Sequence, residues 1–258
     1  MHILVTNDDG VDAPGLLALV QEMRKLGKVT VLAPDRNWSA SGHVKTMHRP
    51  LRVEEHTLAD GTHALASNGA PSDCVALAIL GIVSEPIDLV VSGINPYANI
   101  GHDITYSGTV TAAMEAAISE IPGIAVSLHT LADHAGKKEY GPAAVYARQI
   151  AEKVIKNGLP KQSLLSVNVP SLPMNEIKGV QITRQGLRVY FDELVSRKDP
   201  HGKPYYWIGG EFPSYDPMDG TDSGALDSAY VSVTPIQLDL TDYKLLEQLK
   251  DWDWSIKS

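Results

Sequence analysis

Short hydrophobic runs alternate with amphipathic stretches through the first two thirds of the chain. The runs that are almost free of polar residues predict buried strands at 3–5, 29–33, 87–91, 124–127 and 164–167. Apolar residues at helical spacing predict helices at 14–27, 72–80, 108–117 and 142–157, the first with Asp12 as its N-cap. Because apolar strands separated by amphipathic helices are typical of a parallel sheet covered on both faces, we expect a Rossmann-like α/β fold.

The pattern changes after residue 183. Residues 184–224 lack a helical period and predict an arm of β-hairpins, 230–235 alternate as a returning strand, and 243–254 predict a terminal amphipathic helix. We therefore expect a core at 1–183 and a C-terminal part at 184–258. Apolar side chains of that part would form exposed patches on a monomer, which favours a homodimer or homotetramer built through it. The alternative, that arm and helix fold back onto their own sheet, stays open.

Composition narrows the class of protein. Of 258 residues, 43% are hydrophobic and 21% charged, as in ordinary globular proteins. The longest apolar run, 74–83, is about half of what a membrane span needs, and no signal-peptide pattern precedes it. A single cysteine, Cys74, excludes an internal disulfide, so we expect a cytoplasmic protein that does not engage membranes. Because 22 Lys and Arg face 31 Asp and Glu, the net charge of −9 argues against a nucleic-acid polymer as partner.

Polar residues cluster where three of the predicted strands end. Ligands of open α/β sheets bind beyond the carboxyl ends of the strands. The residues found there are Asn7, Asp8 and Asp9 after the first strand, Ser39, Gly42 and His43 after the second, and Asn95, Asn99, Ser107, Gly108 and Thr109 after the strand at 87–91. Adjacent carboxylates with amide and hydroxyl oxygens suit a hard divalent cation, and a Gly-led helix start suits a phosphate. A plain turn at Asp8–Asp9 and a plain helix cap at Ser107 or Thr109 are the structural alternatives.

Other signatures are missing from the sequence. It contains no Gly-x-Gly-x-x-Gly after the first strand, no P-loop and no Gly-x-Ser-x-Gly elbow. His43 and His48 lie five residues apart in a predicted loop, which is poor spacing for a zinc pair. The oxygen-rich strand ends therefore remain the candidate site.

A series of motifs spans the chain in a characteristic order. It runs through residues 6–10, 33–37 with Ser39, 69–75, 92–95, Asn99-x-Gly101-x-Asp103, 106–110 and 220–235. The series resembles the SurE family, stationary-phase survival proteins that are metal-dependent nucleotidases. The resemblance implies a phosphoric monoester hydrolase that converts nucleoside 5′- or 3′-monophosphates to nucleoside and phosphate with one divalent ion, Mg, Mn or Co. It also implies that subunits exchange C-terminal elements in dimers or tetramers.

The resemblance also implies roles for single residues. Matching positions assign the metal to Asp8, Asp9, Ser39 and Asn95, with Asp8 and Asp9 as catalytic residues, and the phosphate to Asn99, Ser107, Gly108 and Thr109. We add Asn7, Ser39, Gly42, His43 and Asn95 as candidate substrate contacts. Ala70, His102 and the pair Pro96–Tyr97 depart from the family pattern, which bears on substrate preference. Direct attack by water and a phospho-aspartyl intermediate both stay open, as do an exopolyphosphatase and a non-catalytic nucleotide or metal sensor.

Overall fold

A central sheet with helices on both faces organises the protein. The computed structural model describes residues 1–130 and 138–255, without the side chains of 211–213. The first elements are β1 (His2–Thr6), α1 (Pro14–Met23), β2 (Lys28–Pro34), β3 (Val53–Thr57), β4 (His63–Ser67), α2 (Pro71–Leu77), β5 (Leu89–Asn95), α3 (Gly108–Ile118) and β6 (Gly123–His129). The later ones are α4 (Gly141–Asn157), β7 (Ser163–Pro170), β8 (Val180–Ile182), β9 (Leu187–Lys198), β10 (Pro204–Asp216), α5 (Asp222–Asp227), β11 (Val231–Gln237) and α6 (Tyr243–Leu249).

Nine of these strands form the central sheet in the order β3-β4-β2-β1-β5-β6-β7-β11-β8. Neighbours from β4 to β7 pair in parallel, whereas β3 and β11 run antiparallel to β4 and β7. The predicted Rossmann-like fold is confirmed, with antiparallel strands added towards both edges. The strand order reverses at β1, whose neighbours are β2 and β5, and this switch point is where such sheets bind ligands.

Successive residues of β1 show how both sheet faces are covered. Ile3 and Val5 belong to the cluster that includes α1 and α4, whereas Leu4 belongs to the one that includes α2 and α3. A strand buried on both faces has no polar alternation, which is why its sequence reads as a continuous apolar run.

Several predicted boundaries differ from the observed ones. The N-cap of α1 is Ala13 rather than Asp12, because Pro14 already starts the helix, and Asp12 contacts His56 of β3 at 2.8 Å instead. Helix α2 starts at Pro71, and Asp73 accepts a hydrogen bond from the N–H of Ala70. Strand β5 continues to Asn95, four residues beyond the predicted end, so Asn95 belongs to the strand itself.

The C-terminal part contains the predicted elements. Strands β9 and β10 form a long antiparallel hairpin, which we call the arm, and β11 returns into the central sheet between β7 and β8. Helix α6 ends at Leu249, earlier than predicted, and buries none of its residues. No helix in the described part of the chain is long and apolar enough to cross a membrane.

Candidate active site

The N-terminus of α3 holds the carboxylate of Asp8. Asp8 follows β1 and is 3% exposed. Thr109 Oγ1 donates to its Oδ1 at 2.5 Å, and the backbone N–H groups of Gly108 and Thr109 donate to the same carboxyl group. Burial raises the pKa of Asp8, and these hydrogen bonds oppose the rise. The helix start that the sequence assigned to a phosphate is therefore occupied by Asp8 in this structure.

Gly108 makes this contact possible because it lacks a side chain. A Cβ atom at this position would lie 2.8 Å from the Cβ of Asp8 and 3.1 Å from its Oδ2. Carbon atoms do not approach so closely, so any other residue would displace Asp8 from the helix start.

Asp9 lies beside Asp8, and no hydrogen bond from the described residues contributes to its pKa as the bonds from α3 do for Asp8. Burial and the negative charge of Asp8 raise the pKa of Asp9 to about 7, while the positive charge of Lys138 opposes that rise. Two neighbouring carboxylates with a shortage of positive charge form a site that a divalent cation would neutralise.

Asn7 stabilises the turn that carries the two carboxylates. Its side chain is fully buried, its Nδ2 donates to the carbonyl of Gly10 at 2.9 Å, and its Oδ1 accepts from the N–H of Gly10 at 3.3 Å. Gly10 has a φ of +106°, which favours glycine. The amide of Asn7, a candidate substrate contact, is thus engaged in closing the turn.

The loop after β2 approaches Asp8 from the side. The backbone N–H of Trp38 donates to the carbonyl of Asp8 at 2.7 Å. Ser39, which is exposed, directly follows Trp38 in the chain. Gly42 donates its N–H to the carbonyl of Tyr106 at 2.9 Å. His43 contacts Glu115 of α3 at 2.9 Å, so its ring is bound to the helix rather than free for a substrate.

The candidate residues at the end of β5 and beyond it divide into two groups. Asn95 is partly exposed and donates its Nδ2 to the carbonyl of Tyr97 at 2.6 Å, while its Oδ1 accepts no hydrogen bond from the described residues. Asn99 is buried and donates its Nδ2 to Ser127 Oγ at 2.8 Å. Ser107 caps α3 by accepting the N–H of Val110 at 3.1 Å. Of the three, Asn95 offers a carbonyl oxygen, and the other two brace the surrounding loops.

A cleft of about 390 Å³ opens beside Asp9. Sequence reasoning did not single out Lys138 and Tyr140, which line the cleft together with Arg36 and Asn37 of the motif at 33–37 and with Pro96. Lys138 follows β6 in the chain. Because ligands bind beyond the carboxyl ends of the strands, a search of the residues after β6 would have found Lys138.

The donor set fits a hard divalent cation. In residues 1–130 and 138–255, no three His, Cys, Asp or Glu side chains are grouped as a metal site. Two carboxylates, Asp8 and Asp9, follow β1 instead, and the sequence predicts neutral oxygen donors from Ser39 and Asn95. Oxygen donors of this kind suit Mg²⁺ or Mn²⁺ better than softer metals.

Comparison with known proteins identifies the family. The profile of the family described as Survival protein SurE matches residues 3–192. The chain belongs to the SurE family. The 5′-nucleotidase SurE of Chloroflexus aggregans is 49% identical over 98% of this chain and 100% of its own length. That of Geobacter sulfurreducens is 50% identical over 99% of this chain and 95% of its own length.

A solved structure of the SurE family agrees with the fold. The crystal structure of the SurE protein from Aquifex aeolicus has a TM-score of 0.81 and 41% identity, and the match covers 97% of this chain and 98% of that one. The family predicted from the motifs is confirmed. The predicted class of enzyme, a phosphoric monoester hydrolase, is confirmed through the curated relatives, which are named 5′-nucleotidases.

Proposed function

We propose that the chain is a divalent-metal-dependent nucleotidase that hydrolyses nucleoside 5′- or 3′-monophosphates to nucleoside and phosphate. The observation that carries this proposal is the pair Asp8 and Asp9 at the switch point of the sheet. Asp8 accepts hydrogen bonds from the start of α3, and Asp9 lines an open cleft. The names of the relatives from Chloroflexus aggregans and Geobacter sulfurreducens support the 5′-nucleotidase activity.

The two carboxylates have different parts in this proposal. Asp8 is buried and accepts three hydrogen bonds from α3, so it serves as a fixed ligand and is poorly placed as a nucleophile. Asp9 lines the cleft, so its carboxylate is open to the cation and to a substrate bound there. Ser39 and Asn95 complete the oxygen donors. One bound Mg, Mn or Co ion would neutralise phosphate charge and favour in-line attack by water.

The cleft beside Asp9 suits a nucleotide. Its volume of about 390 Å³ lies within the range of small-molecule sites, roughly 300–1,000 Å³. Arg36 and Lys138 offer positive charge to a phosphate in a chain whose net charge is −9. Both cations also lie over aromatic rings, Arg36 at 5.3 Å from the centre of Trp38 and Lys138 at 4.6 Å from that of Tyr97.

Phosphate release from a panel of substrates tests the activity. Purified protein with Mn²⁺, Mg²⁺ or Co²⁺ is expected to release phosphate from 5′- or 3′-nucleoside monophosphates, and EDTA is expected to abolish the release until metal is restored. Full turnover in metal-stripped protein would contradict metal dependence. Release from short polyphosphate alone would indicate an exopolyphosphatase, and tight binding of nucleotide without turnover would indicate a sensor.

Trapping separates the two routes of hydrolysis. In ¹⁸O-labelled water, attack of water on phosphorus puts one label into the released phosphate, whether water attacks the substrate directly or attacks a phospho-aspartyl intermediate. Hydroxylamine would capture such an acyl phosphate on Asp8 or Asp9, whereas direct attack would leave nothing to capture. The hydrogen bonds around Asp8 favour direct attack by water.

We also propose the assembly and location of the enzyme. The exposed arm and α6 support a homodimer or homotetramer through the C-terminal part, with a boundary near residue 183. A cytoplasmic location, without membrane or nucleic-acid polymer as partner, stays a prediction from the composition.

A further inference from the structure

A buried carboxylate on α3 connects the helix to the loop that carries Ser39. Glu115 is 5% exposed. His43 Nε2 donates to its Oε2 at 2.9 Å, and Lys45 Nζ donates to its Oε1 at 3.2 Å. The hydrogen bonds from His43 and Lys45 keep the pKa of Glu115 below its usual value in spite of the burial. Both hydrogen-bond partners of the Glu115 carboxylate thus come from the same loop.

The loop has further anchors on either side of Ser39. Before it, the N–H of Trp38 is bound to the carbonyl of Asp8. After it, Thr111 Oγ1 of α3 donates to the carbonyl of Gly42 at 3.0 Å. The intervening residues belong to no helix or strand, so their position depends on these contacts.

Helix α3 therefore contacts both Asp8 and the loop that carries Ser39, which are two parts of the candidate metal site. Its first residues hold Asp8, and Thr111 and Glu115 hold the loop that carries Ser39. A buried charge is costly unless it is well paired, and a neutral side chain of the same size would fill the space without that cost. The presence of a charge paired to the loop from within the helix indicates a role in fixing the loop.

We propose that Glu115 is a positioning residue of the metal site, which fixes the Ser39 loop relative to Asp8 through His43 and Lys45. This inference rests on the proposed function, because it assumes that Asp8 and Ser39 bind the same cation. Nothing in the role requires Glu115 to touch the metal or the substrate.

Calorimetric titration of full-length protein with Mn²⁺ tests the proposal without relying on turnover. Glu115→Gln removes the charge at nearly constant volume, and Lys45→Met changes an exposed partner, so its fold is not at risk. Glu22→Gln is the matched control, because Glu22 of α1 is also poorly exposed. It pairs with Lys25, just after α1, and with Arg148 of α4, away from the loop. Substitutions of residues that orient metal ligands typically weaken metal binding by about 10–100-fold.

We expect E115Q to raise the dissociation constant for Mn²⁺ about tenfold, K45M to raise it less, and E22Q to leave it unchanged. Because both substitutions break the same contact between α3 and the loop, the double variant E115Q/K45M should bind Mn²⁺ no more weakly than E115Q does. Saturating Mn²⁺ should restore most of kcat, which a general loss of stability would not allow.

Two different failures can be told apart. Wild-type affinity for Mn²⁺ in both E115Q and K45M would overturn the role of Glu115 and leave the proposed function intact. A wild-type protein that neither binds Mn²⁺ nor hydrolyses nucleotides would overturn the proposed function and this inference together.

Discussion

The carboxylate of Asp9 is a source of instability in the metal-free protein. Its pKa is raised from 3.8 to about 7 by burial and by the charge of Asp8. Between these two values the folded state holds a proton that the unfolded state has lost, so stability decreases as the pH rises through this window. Above pH 7 the ionised carboxylate opposes folding until a cation neutralises it.

Asp9→Asn should reveal this effect. In metal-free protein we expect the variant to melt at a higher temperature than wild type at pH 8 and at nearly the same temperature near pH 4, because the wild-type side chain is then neutral as well. Mn²⁺ should stabilise the wild type much more than the variant, and turnover should fall sharply. Asp35→Asn, an exposed carboxylate in the same cleft, is the control. Equal melting temperatures of wild type and D9N at pH 8 would contradict the prediction.

Single residues of the site were predictable to different degrees. Asp8 and Asp9 could be singled out because they follow the first buried strand, at the sheet edge where other strand ends bring amide and hydroxyl oxygens. The use of Asn7 in its own turn could not, since an amide at such a position suits a ligand equally well. Glu115 escaped notice because its partners His43 and Lys45 lie about 70 residues away in sequence.

The start of α3 is the element on which the site depends most. Gly108→Ala would place a Cβ 2.8 Å from that of Asp8, so the carboxylate or the helix must move. Overpacking of this kind costs about 1–3 kcal/mol of unfolding free energy. We expect a loss of that size by chemical denaturation, together with loss of most phosphatase activity.

Gly141→Ala provides a matched control for this substitution. Gly141 is likewise the first residue of its helix, α4, but an added Cβ would meet no atom of the described residues within 4 Å beyond its chain neighbours. The G141A variant should therefore lose much less stability than G108A, because the added methyl group meets only the adjacent Pro142. Similar behaviour of G108A and G141A would show that the contact between Gly108 and Asp8 is unimportant.

Elements with continuous apolar runs were predictable, whereas the polar hairpin at one edge of the sheet was not. Strands β1, β2, β6 and β7 were found because both of their faces are buried. The hairpin of β3 and β4 was missed, since Glu54, Glu55 and His56 give β3 a polar sequence at the edge of the sheet. Its strands form because β4 pairs with β2, a long-range contact without a local signature.

At the scale of the whole molecule, strand order brings the site together. The sequence gives no direct sign that β1 lies between β2 and β5, yet this order places their carboxyl ends side by side. The arm is attached to the same region. Asp222 accepts the N–H of Gly101 at 2.9 Å and that of Gly186 at 2.8 Å, so the loop after β5 and the approach to β9 share one carboxylate.

The exposed apolar surface of the C-terminal part argues for association between copies of this chain. Ile208 of the arm is 83% exposed, and Trp207 beside it is 65% exposed. Trp252 and Trp254, beyond α6, are 60% and 62% exposed. Monomers rarely leave such large apolar side chains together in water.

Sedimentation velocity of two matched variants should establish whether this surface joins subunits. Ile208→Asp puts a charge on the arm, whereas Leu80→Asp puts one on an equally exposed apolar residue, 82% accessible, next to α2 and outside the C-terminal part. We expect wild type and L80D to sediment as dimers or tetramers at micromolar concentration, and I208D to shift towards smaller species because a charge cannot be buried unpaired at the interface. A chain truncated at Asp239, which lacks α6, should shift in the same direction. A wild-type protein of monomer mass would refute the assembly, and an unchanged mass of both I208D and the truncated chain would place the interface elsewhere.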